Sequence, residues 1–365
     1  MTTVRTFGLT LLAALVLVLG VSTSATAATG PGSRGVSVSA WLPFWEADAL
    51  AVVRRHEGLF GAVSPFWYEA GATRIHAYPG AGSRTYVRAL RRAGADVVPT
   101  VTSRLTPGAM AALGRSRPAR ARHVRALVRL AVRGGFDGLD LDYEHMALTT
   151  SPAQARRARE GFTALVRELC PRLRRTGRTC VVTVMPRTHA APYVWRHKLI
   201  PAVYDYAKLG RAVDRLRVMT YDQHAPNTGP GPMGSIVWTE QVMRFAMTQT
   251  AARKLELGIP LYGRDWGGGR VGTLTWPQAE SLRRRVGARR RWDRRTASPW
   301  FRYRSGGRRH VVWYSDASSS VARVQLAERL GIAGVAFWAL GQGDPHTWRR
   351  LRRTQGSDGG VTTVR

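Results

Sequence analysis

Four acidic side chains fall within eight consecutive positions, at Asp137, Asp140, Asp142 and Glu144. Alternate residues of a strand face the same side, so the last three acids share one face and the residues between them face the other. Three carboxyl groups in a covered interior repel one another and lose hydration, which raises at least one of their pKa values. We therefore expect Asp140 and Asp142 to share a proton, and we interpret the cluster as acid–base chemistry. The alternatives are a structural acidic cluster and a cation site.

The residues before the cluster predict the fold that would bury it. Arg120–Val132 is an Ala-, Leu- and Val-rich helical segment, and Gly134-Gly135 ends it. A helix, a short glycine turn and an apolar strand are typical of βα units, whose parallel strands are covered on both faces. The acidic face would then point inward rather than to solvent.

Strand-like and helix-like segments alternate eight times along the 365 residues. The predicted strands are 36–43, 62–68, 96–102, the acidic strand, 179–185, 216–221, 255–261 and 334–338. The other predicted helices are 47–56, 84–93, 152–175, 203–213, 236–250 and 345–353. This alternation predicts an α/β fold, a (β/α)8 TIM barrel with its active site at the carboxyl ends of the strands.

Residues 264–317 are too many for a simple loop between strands 7 and 8. They contain a predicted helix, Trp276–Val286, and a predicted hairpin that joins Trp300–Tyr303 to Val311–Tyr314. We predict a small α+β insertion that forms one wall of the cleft.

The amino-terminal residues 1–28 have the features of a secretory signal. Arg5 supplies the positive charge, Leu9–Val21 the apolar core and Ala25-Thr26-Ala27 the cleavage site. A membrane anchor is the alternative, but this core is shorter than the roughly 20 residues that span a bilayer. We expect a secreted monomer without a membrane span, with association to the cell wall as one option. A linker would cover 29–35, a catalytic domain 36–354 and a disordered tail 355–365.

The acidic cluster reads Asp-x-x-Asp-x-Asp-x-Glu and resembles the catalytic signature of glycoside hydrolase family 18, the chitinase-like barrels. Met219-Thr220-Tyr221-Asp222 ends the sixth strand and resembles the family's Met-x-Tyr-Asp motif. Trp338 ends the eighth strand and matches the family's tryptophan floor. Residues 257–266 and 313–317 are similar to the spore-cortex and cell-wall N-acetylglucosaminidase subgroup. One departure is Pro99–Ser103, which lacks the Ser-x-Gly-Gly of the chitinases proper.

This resemblance implies substrate-assisted hydrolysis, in which the substrate's own 2-acetamido oxygen is the nucleophile. Glu144 would be the general acid, with its pKa raised toward neutrality. Asp142 would orient the acetamido N–H and stabilise the oxazolinium-like intermediate, and Asp140 would tune Asp142. Tyr221 would hydrogen-bond the acetamido oxygen. The substrate would contain β-linked N-acetylglucosamine, as chitin, peptidoglycan and the N-glycan core do.

Five more residues complete the candidate site and its motif. Asp222 would contact the same sugar or the water path, Met219 would line the site, and Trp338 would stack under the sugar ring. We add Trp45 and Trp67, near the ends of the first two strands, as substrate-binding candidates. Asp137 lies off the inward face and is interpreted as structural. No metal or organic cofactor is implied, and neither Cys-x-x-Cys nor His-Glu-x-x-His occurs.

The composition leaves two questions open. Cys170 and Cys180 are the only cysteines, and in an exported protein they form either a disulfide or two buried thiols. The net charge is +33 and comes almost entirely from arginine. Such a charge can indicate nucleic acid, a skewed genomic composition or attraction to an anionic cell wall. We favour the last two, because the arginines are dispersed and no specific nucleic-acid motif accompanies them.

Two functions compete for the same barrel. The first is a retaining enzyme that cleaves β-1,4-linked N-acetylglucosamine. The second is a carbohydrate-binding, lectin-like barrel without activity, because fold alone does not settle function. The lectins of the family typically lack the final Glu or a neighbouring Asp, whereas this sequence has all of them. The sequence therefore favours the enzyme.

Overall fold

The structure, a computed structural model, describes residues 35–149, 151–191 and 203–356. The predicted signal sequence, the linker up to residue 34 and residues 357–365 of the predicted tail lie outside these ranges. The strands are β1 (Ser37–Pro43), β2 (Ala62–Ala70), β3 (Ile75–Ala77), β4 (Asp96–Val97), β5 (Thr100–Ser103), β6 (Gly138–Asp142), β7 (Thr179–Val184), β8 (Arg215–Val218), β9 (Leu255–Pro260), β10 (Tyr262–Gly267), β11 (Arg270–Thr275), β12 (Arg291–Asp293), β13 (Ser298–Ser305), β14 (Arg308–Trp313) and β15 (Gly334–Trp338).

The helices lie between these strands in a regular order. They are α1 (Ala49–Arg55), α2 (Arg84–Arg92), α3 (Pro107–Arg115), α4 (Arg117–Arg133), α5 (Pro152–Arg174), α6 (Tyr206–Ala212), α7 (Ile236–Gln249), α8 (Trp276–Arg285), α9 (Ala317–Arg329) and α10 (His346–Gly356). Two short 3-10 helices cover His145–Ala147 and Ala252–Lys254.

Eight parallel strands close into a barrel, in the order β1, β2, β5, β6, β7, β8, β9 and β15. Closure is direct, because β1 pairs with β2 on one side and with β15 on the other. The predicted (β/α)8 fold is therefore confirmed. The carboxyl ends of all eight strands lie at one end of the barrel, where such folds place their sites.

The predicted third strand is divided into β4 and β5. Pro99 lies between the two pieces, and a proline has no N–H to donate to a strand ladder. Two other strands are shorter than predicted. The acidic strand β6 ends at Asp142 and β8 ends at Val218, so Glu144 and Tyr221 lie in the segments that follow.

Helices α3 and α9 were not predicted. The start of α9 is rich in serine, which disfavours a helix interior but favours a cap. Here Asp316 and Ser319 form a reciprocal capping box that fixes the first turn. At the other end of the chain, α10 continues to Gly356, past the predicted start of the tail at 355.

The insertion before β15 is a separate antiparallel sheet with one helix. Its five strands follow the order β11, β10, β14, β13, β12, and α8 packs over a small core of Ala279, Phe301, Val312 and Tyr314. The sheet begins at Tyr262, two residues before the predicted start. It adjoins the carboxyl end of β9, so it stands beside the end of the barrel that carries the site.

Cys170 and Cys180 form a disulfide that joins the end of α5 to β7, with their Cα atoms 5.3 Å apart. Among the helices in the described ranges, none combines the length and apolar character needed to cross a membrane.

Candidate active site

A cavity of about 410 Å³ opens at the carboxyl ends of the barrel strands. Most of its wall is aromatic or apolar, and its polar groups come from the end of β6, from the segments that follow β6 and β8, and from the start of β10. The lining residues are Trp45, Phe66, Asp142, Glu144, Met185, Pro186, Met219, Tyr221, Asp222, Gln223, Trp238, Tyr262 and Trp338.

Asp140 lies below this cavity, inside the barrel, and is completely buried. Its Oδ2 accepts hydrogen bonds from Trp41 Nε1 at 2.9 Å, Thr100 Oγ1 at 3.1 Å and Arg217 Nη1 at 3.1 Å. Its Oδ1 accepts a hydrogen bond from Thr183 Oγ1 at 2.8 Å. Both oxygens of this carboxylate therefore have donors, one of which is charged.

Asp142 lies on the same inward face and is surrounded very differently. Its Oδ1 is buried and has no hydrogen-bond partner among the described residues. Burial, then the charges of Glu144 and Asp140, raise its pKa well above the usual value for an aspartate. With one buried oxygen left without a donor, burial favours the neutral, protonated form of Asp142 over the charged one.

The proton that we expected Asp140 and Asp142 to share stays a prediction. No hydrogen bond joins these two described residues, and both oxygens of Asp140 accept from other side chains. After burial, the charge of Glu144 has a larger influence on the pKa of Asp142 than the charge of Asp140.

Glu144 reaches the cavity because the chain leaves the strand before it. Its backbone has φ −86° and ψ −35°, and it caps the 3-10 helix His145–Ala147. Tyr143, just before it, is buried on the outer side of the barrel wall, where its hydroxyl lies 2.9 Å from Nε2 of His123 in α4. Burial, followed by the charge of Asp222, raises the pKa of Glu144 to about 7. A carboxyl group with this pKa can donate a proton at neutral pH.

Tyr221 and Asp222 lie in the segment after β8 and line the cavity. Burial, then the charges of Asp142 and Glu144, raise the pKa of Tyr221 well above its usual value, so its hydroxyl remains a hydrogen-bond donor. Asp222 has a left-handed backbone with φ 58°. Its Oδ1 lies 2.7 Å from Nη2 of Arg264 and also accepts a hydrogen bond from the hydroxyl of Tyr262. Asp222 is therefore paired rather than free.

Aromatic rings form the floor and one edge of the cavity. Trp338 contacts Phe66 edge to face, with ring centroids 5.3 Å apart. Phe66 in turn contacts Trp45, which is 50% exposed at the rim. Met219 lines the same space. A flat indole at the floor and a second one at the rim are suited to the apolar faces of sugar rings.

Trp67 is not part of this surface, which corrects our prediction. It is 3% exposed and packs between Tyr86 and Phe136, on the outer side of the barrel wall. Successive residues of a strand face opposite sides, so its neighbour Phe66 takes the cavity position instead. Asp137 lies at the opposite, amino end of β6. There it binds Arg91 Nη2 at 2.8 Å and accepts a hydrogen bond from the backbone N–H of Val97.

Several site residues were not predicted. Tyr262 and Arg264 lie in a segment that the sequence singles out, yet their contacts with Asp222 depend on the inserted sheet. Arg217 was missed altogether. Its signal was a charged residue at an inward position of β8, between apolar neighbours. No group of three or more His, Cys, Asp or Glu side chains arranged to hold a metal ion occurs in the described ranges.

Comparison with known proteins gives, among others, two relatives from Bacillus subtilis. A cortical fragment-lytic enzyme of Bacillus subtilis is 28% identical over 237 residues, which are 63% of this chain and 52% of that protein. The uncharacterized glycosylase YvbX of Bacillus subtilis is 34% identical over 154 residues, which are 41% of this chain and 45% of that protein. The chain thus spans about half the length of the curated relatives it matches.

Solved structures agree on the fold. A chitinase from Chromobacterium violaceum superposes with a TM-score of 0.76 at 26% identity, over 88% of this chain and 99% of the other. The Bacillus cereus spore cortex-lytic enzyme SleL has a TM-score of 0.76 at 21% identity, over 88% of this chain and 75% of that one, and at this identity shows the fold alone. The sequence profile described as "Glycosyl hydrolases family 18" matches residues 111–343, more than half of the chain. The chain therefore belongs to glycosyl hydrolases family 18.

Proposed function

We propose that the chain is a retaining glycoside hydrolase that cleaves β-1,4-linked N-acetylglucosamine with help from the substrate's 2-acetamido group. One observation carries the proposal. Among the residues that the structure describes, the cavity presents a proton donor, Glu144, but no free carboxylate that could act as the nucleophile. Asp140 is held below the cavity by four donors, burial raises the pKa of Asp142 and favours its neutral form, and Asp222 is paired with Arg264.

Retaining glycosidases need a nucleophile on the enzyme or on the substrate. Since the described part of the cavity offers none, we take the acetamido oxygen of the sugar before the cut as the nucleophile. Glu144 would protonate the leaving oxygen while that acetamido oxygen attacks the anomeric carbon. Tyr221 would donate a hydrogen bond to the acetamido oxygen, and Trp338 would hold the ring from below.

The role of Asp142 follows from where its proton can go. As Glu144 gives its proton to the leaving group, its carboxylate can take the proton of Asp142. Asp142 would then be anionic beside the N–H of the oxazolinium intermediate. Before water attacks, Glu144 would return that proton to Asp142, and its carboxylate would then take a proton from the water that opens the intermediate, which retains the configuration of the anomeric carbon.

Peptidoglycan is the polymer that we favour over chitin. Its glycan strand supplies the required N-acetyl group, and several relatives are named as cortical fragment-lytic enzymes. The absence of Ser-x-Gly-Gly at Pro99–Ser103 supports the same choice. Export by the signal sequence predicted at residues 1–28 would bring the chain to that polymer.

The charge of the inserted unit supports an attraction to an anionic wall. Its acids Glu280 and Asp316 are paired with Arg283 and Arg290. Many of its other arginines are exposed and dispersed over the surface, among them Arg284, Arg285, Arg289, Arg291, Arg294 and Arg295. Binding of the protein to purified walls should weaken steeply as sodium chloride is raised, because exposed charges are screened.

The test of the activity compares the wild type with Glu144→Gln and Asp137→Asn. Each protein is incubated with N-acetylated chito-oligosaccharides and with purified peptidoglycan, and new reducing ends are identified by mass. We expect Glu144→Gln to lose at least about 100-fold in rate, as removal of a general acid does. Asp137→Asn is the matched control, since this acid of the same motif lies away from the cavity. Sugar binding without cleavage by the wild type would favour the lectin-like alternative.

A further inference from the structure

An alternating row of charged side chains runs inside the barrel from its amino end to the acidic cluster. Arg215 begins β8, and its Nε lies 3.7 Å from Oε1 of Glu256. The other carboxylate oxygen of Glu256 lies 2.5 Å from Nε of Arg217. Nη1 of Arg217 then lies 3.1 Å from Oδ2 of Asp140. Above Asp140 on the same face of β6 is Asp142, which lines the cavity.

Arg217 is held on every side. Besides the two carboxylates, its Nη1 donates to Ser64 Oγ at 2.6 Å, and its guanidinium lies 5.3 Å from the ring centre of Trp41. Its side chain is 1% exposed. Burial alone lowers the pKa of Arg217, but Glu256 and Asp140 outweigh burial and raise it. The guanidinium is therefore a fixed positive charge at the barrel centre.

A contribution to stability does not explain why this ion pair is buried inside the barrel. Barrel interiors are filled mainly by branched apolar residues. Burying an ion pair costs several kcal/mol per ion, and apolar replacements of such pairs are often neutral or stabilising. A charged pair in this position therefore points to a role other than stability. Its contact with Asp140, rather than with the cavity, indicates what that role is.

We propose that Arg217 is a positioning residue that keeps Asp140 negatively charged, with Glu256 holding the guanidinium, and so confines the proton of the acidic cluster to Asp142 and Glu144. The inference rests on the proposed function and deepens it. Without Arg217, Asp140 would keep only the neutral donors Trp41, Thr100 and Thr183. A proton could then settle on Asp140, on the side of the cluster that faces away from the sugar.

The sign of the effect can be worked out from charge alone. The charged and titratable groups that face the acidic cluster and this pair are Arg215, Glu256, Tyr204, Tyr221, Asp222, Tyr262 and Arg264. Removing the positive charge of Arg217 raises the pKa of the carboxyl groups above it. Removing the negative charge of Glu256 lowers those pKa values.

The experiment measures pH profiles of kcat and KM for Arg217→Met, Arg217→Lys, Glu256→Gln and the double variant Arg217→Met/Glu256→Gln. We expect Arg217→Met to move the descending limb of kcat/KM upward by about one pH unit and to lower kcat about tenfold or more. Glu256→Gln should move the limb downward by about half a unit. In Arg217→Lys, kcat and the position of the descending limb should stay near their wild-type values. KM should change little in each, because neither residue lines the cavity.

Shifts of opposite sign cannot come from general loosening of the barrel. Arg217→Met leaves the buried Glu256 with Arg215, at 3.7 Å, as its remaining charged partner and could fail to fold, whereas the double variant removes both charges and should fold. In the double variant the descending limb of kcat/KM should return toward its wild-type pH, while kcat remains low. The proposal would be overturned if the descending limb of kcat/KM shifted equally in the two single variants, or if a folded double variant had the wild-type kcat.

A second measurement separates this inference from the activity itself. Carbon-13 NMR of the aspartate carboxyl groups reports the charge of Asp140 without any substrate. In the wild type its signal should stay at the ionised position through neutral pH, and in the uncharged variants it should move toward the protonated position. If the wild type cleaves no glycan but these signals behave as expected, the proposed function fails while the role of Arg217 stands. An unchanged Asp140 signal would overturn that role.

Discussion

The Nη2 atom of Arg264 lies 2.7 Å from Oδ1 of Asp222, in the wall of the cavity that holds the acidic cluster. The charge of Asp222 is, after burial, the influence that raises the pKa of Glu144. Arg264 belongs to the first strand of the inserted sheet, whereas Asp222 follows a barrel strand. The insertion therefore helps to set how strongly the general acid holds its proton.

Replacement of Asp222 by Asn should lower the pKa of Glu144, because it removes a negative charge beside that carboxyl group. In the wild type, kcat/KM should fall as the pH rises through about 7, where Glu144 loses its proton. In Asp222→Asn this descending limb should move to lower pH by about half a unit. Asp265→Asn is the control, because Asp265 is engaged by Tyr303 and His310 within the inserted sheet. An upward shift in Asp222→Asn would contradict this account.

The substrate's N-acetyl group should be indispensable, because the described residues of the cavity include no free carboxylate to replace it. Chito-oligosaccharides de-N-acetylated before the cut should be cleaved at least about 100-fold more slowly than their acetylated counterparts. Tyr221→Phe removes the donor to the acetamido oxygen and should lower kcat about 10- to 100-fold on acetylated substrate. Steady-state kinetics on size-defined oligosaccharides measures both effects. Equal rates on acetylated and deacetylated sugars would mean that the nucleophile lies on the enzyme.

Two tryptophans near the ends of barrel strands should respond in opposite ways. Trp338 forms the cavity floor, so Trp338→Ala should raise KM about tenfold or more while the protein stays folded. The reason is that loss of a ring stacked on an aromatic side chain costs about 1–3 kcal/mol of binding free energy. Trp67 is buried outside the cavity, so Trp67→Ala should cost about 3–5 kcal/mol of unfolding free energy. Any Trp67→Ala protein that remains folded should bind oligosaccharide normally. Titration calorimetry and urea unfolding distinguish the two effects, and a binding defect in folded Trp67→Ala would count against the assignment.

The alternation of strands and helices predicts the barrel because each signal is local. Gly134-Gly135 ends a helix and the apolar residues after it begin a strand, so element order can be read along the chain. The acids are equally visible, since spacing alone places Asp140 and Asp142 on one face. These features account for the confirmed fold and for the position of the cluster in it.

Features that depend on contacts between distant segments were not visible in the same way. Both faces of β2 are apolar, so the sequence does not say whether Phe66 or Trp67 faces the cavity. The three polar partners of Arg217 come from β2, β6 and β9, and only closure of the barrel brings them together. The four donors that surround Asp140 come together through the same closure.

The measurement that tests the central claim most directly is the anomeric configuration of the first product. Proton NMR during digestion of an N-acetylated chito-oligosaccharide or of peptidoglycan strands, with Glu144→Gln as the blank, detects new reducing ends before they mutarotate. The account predicts that wild type releases N-acetylglucosamine ends in the β configuration and that the variant releases almost none. Ends that appear first in the α configuration, or equal release by the variant, would contradict substrate-assisted cleavage with Glu144 as the acid.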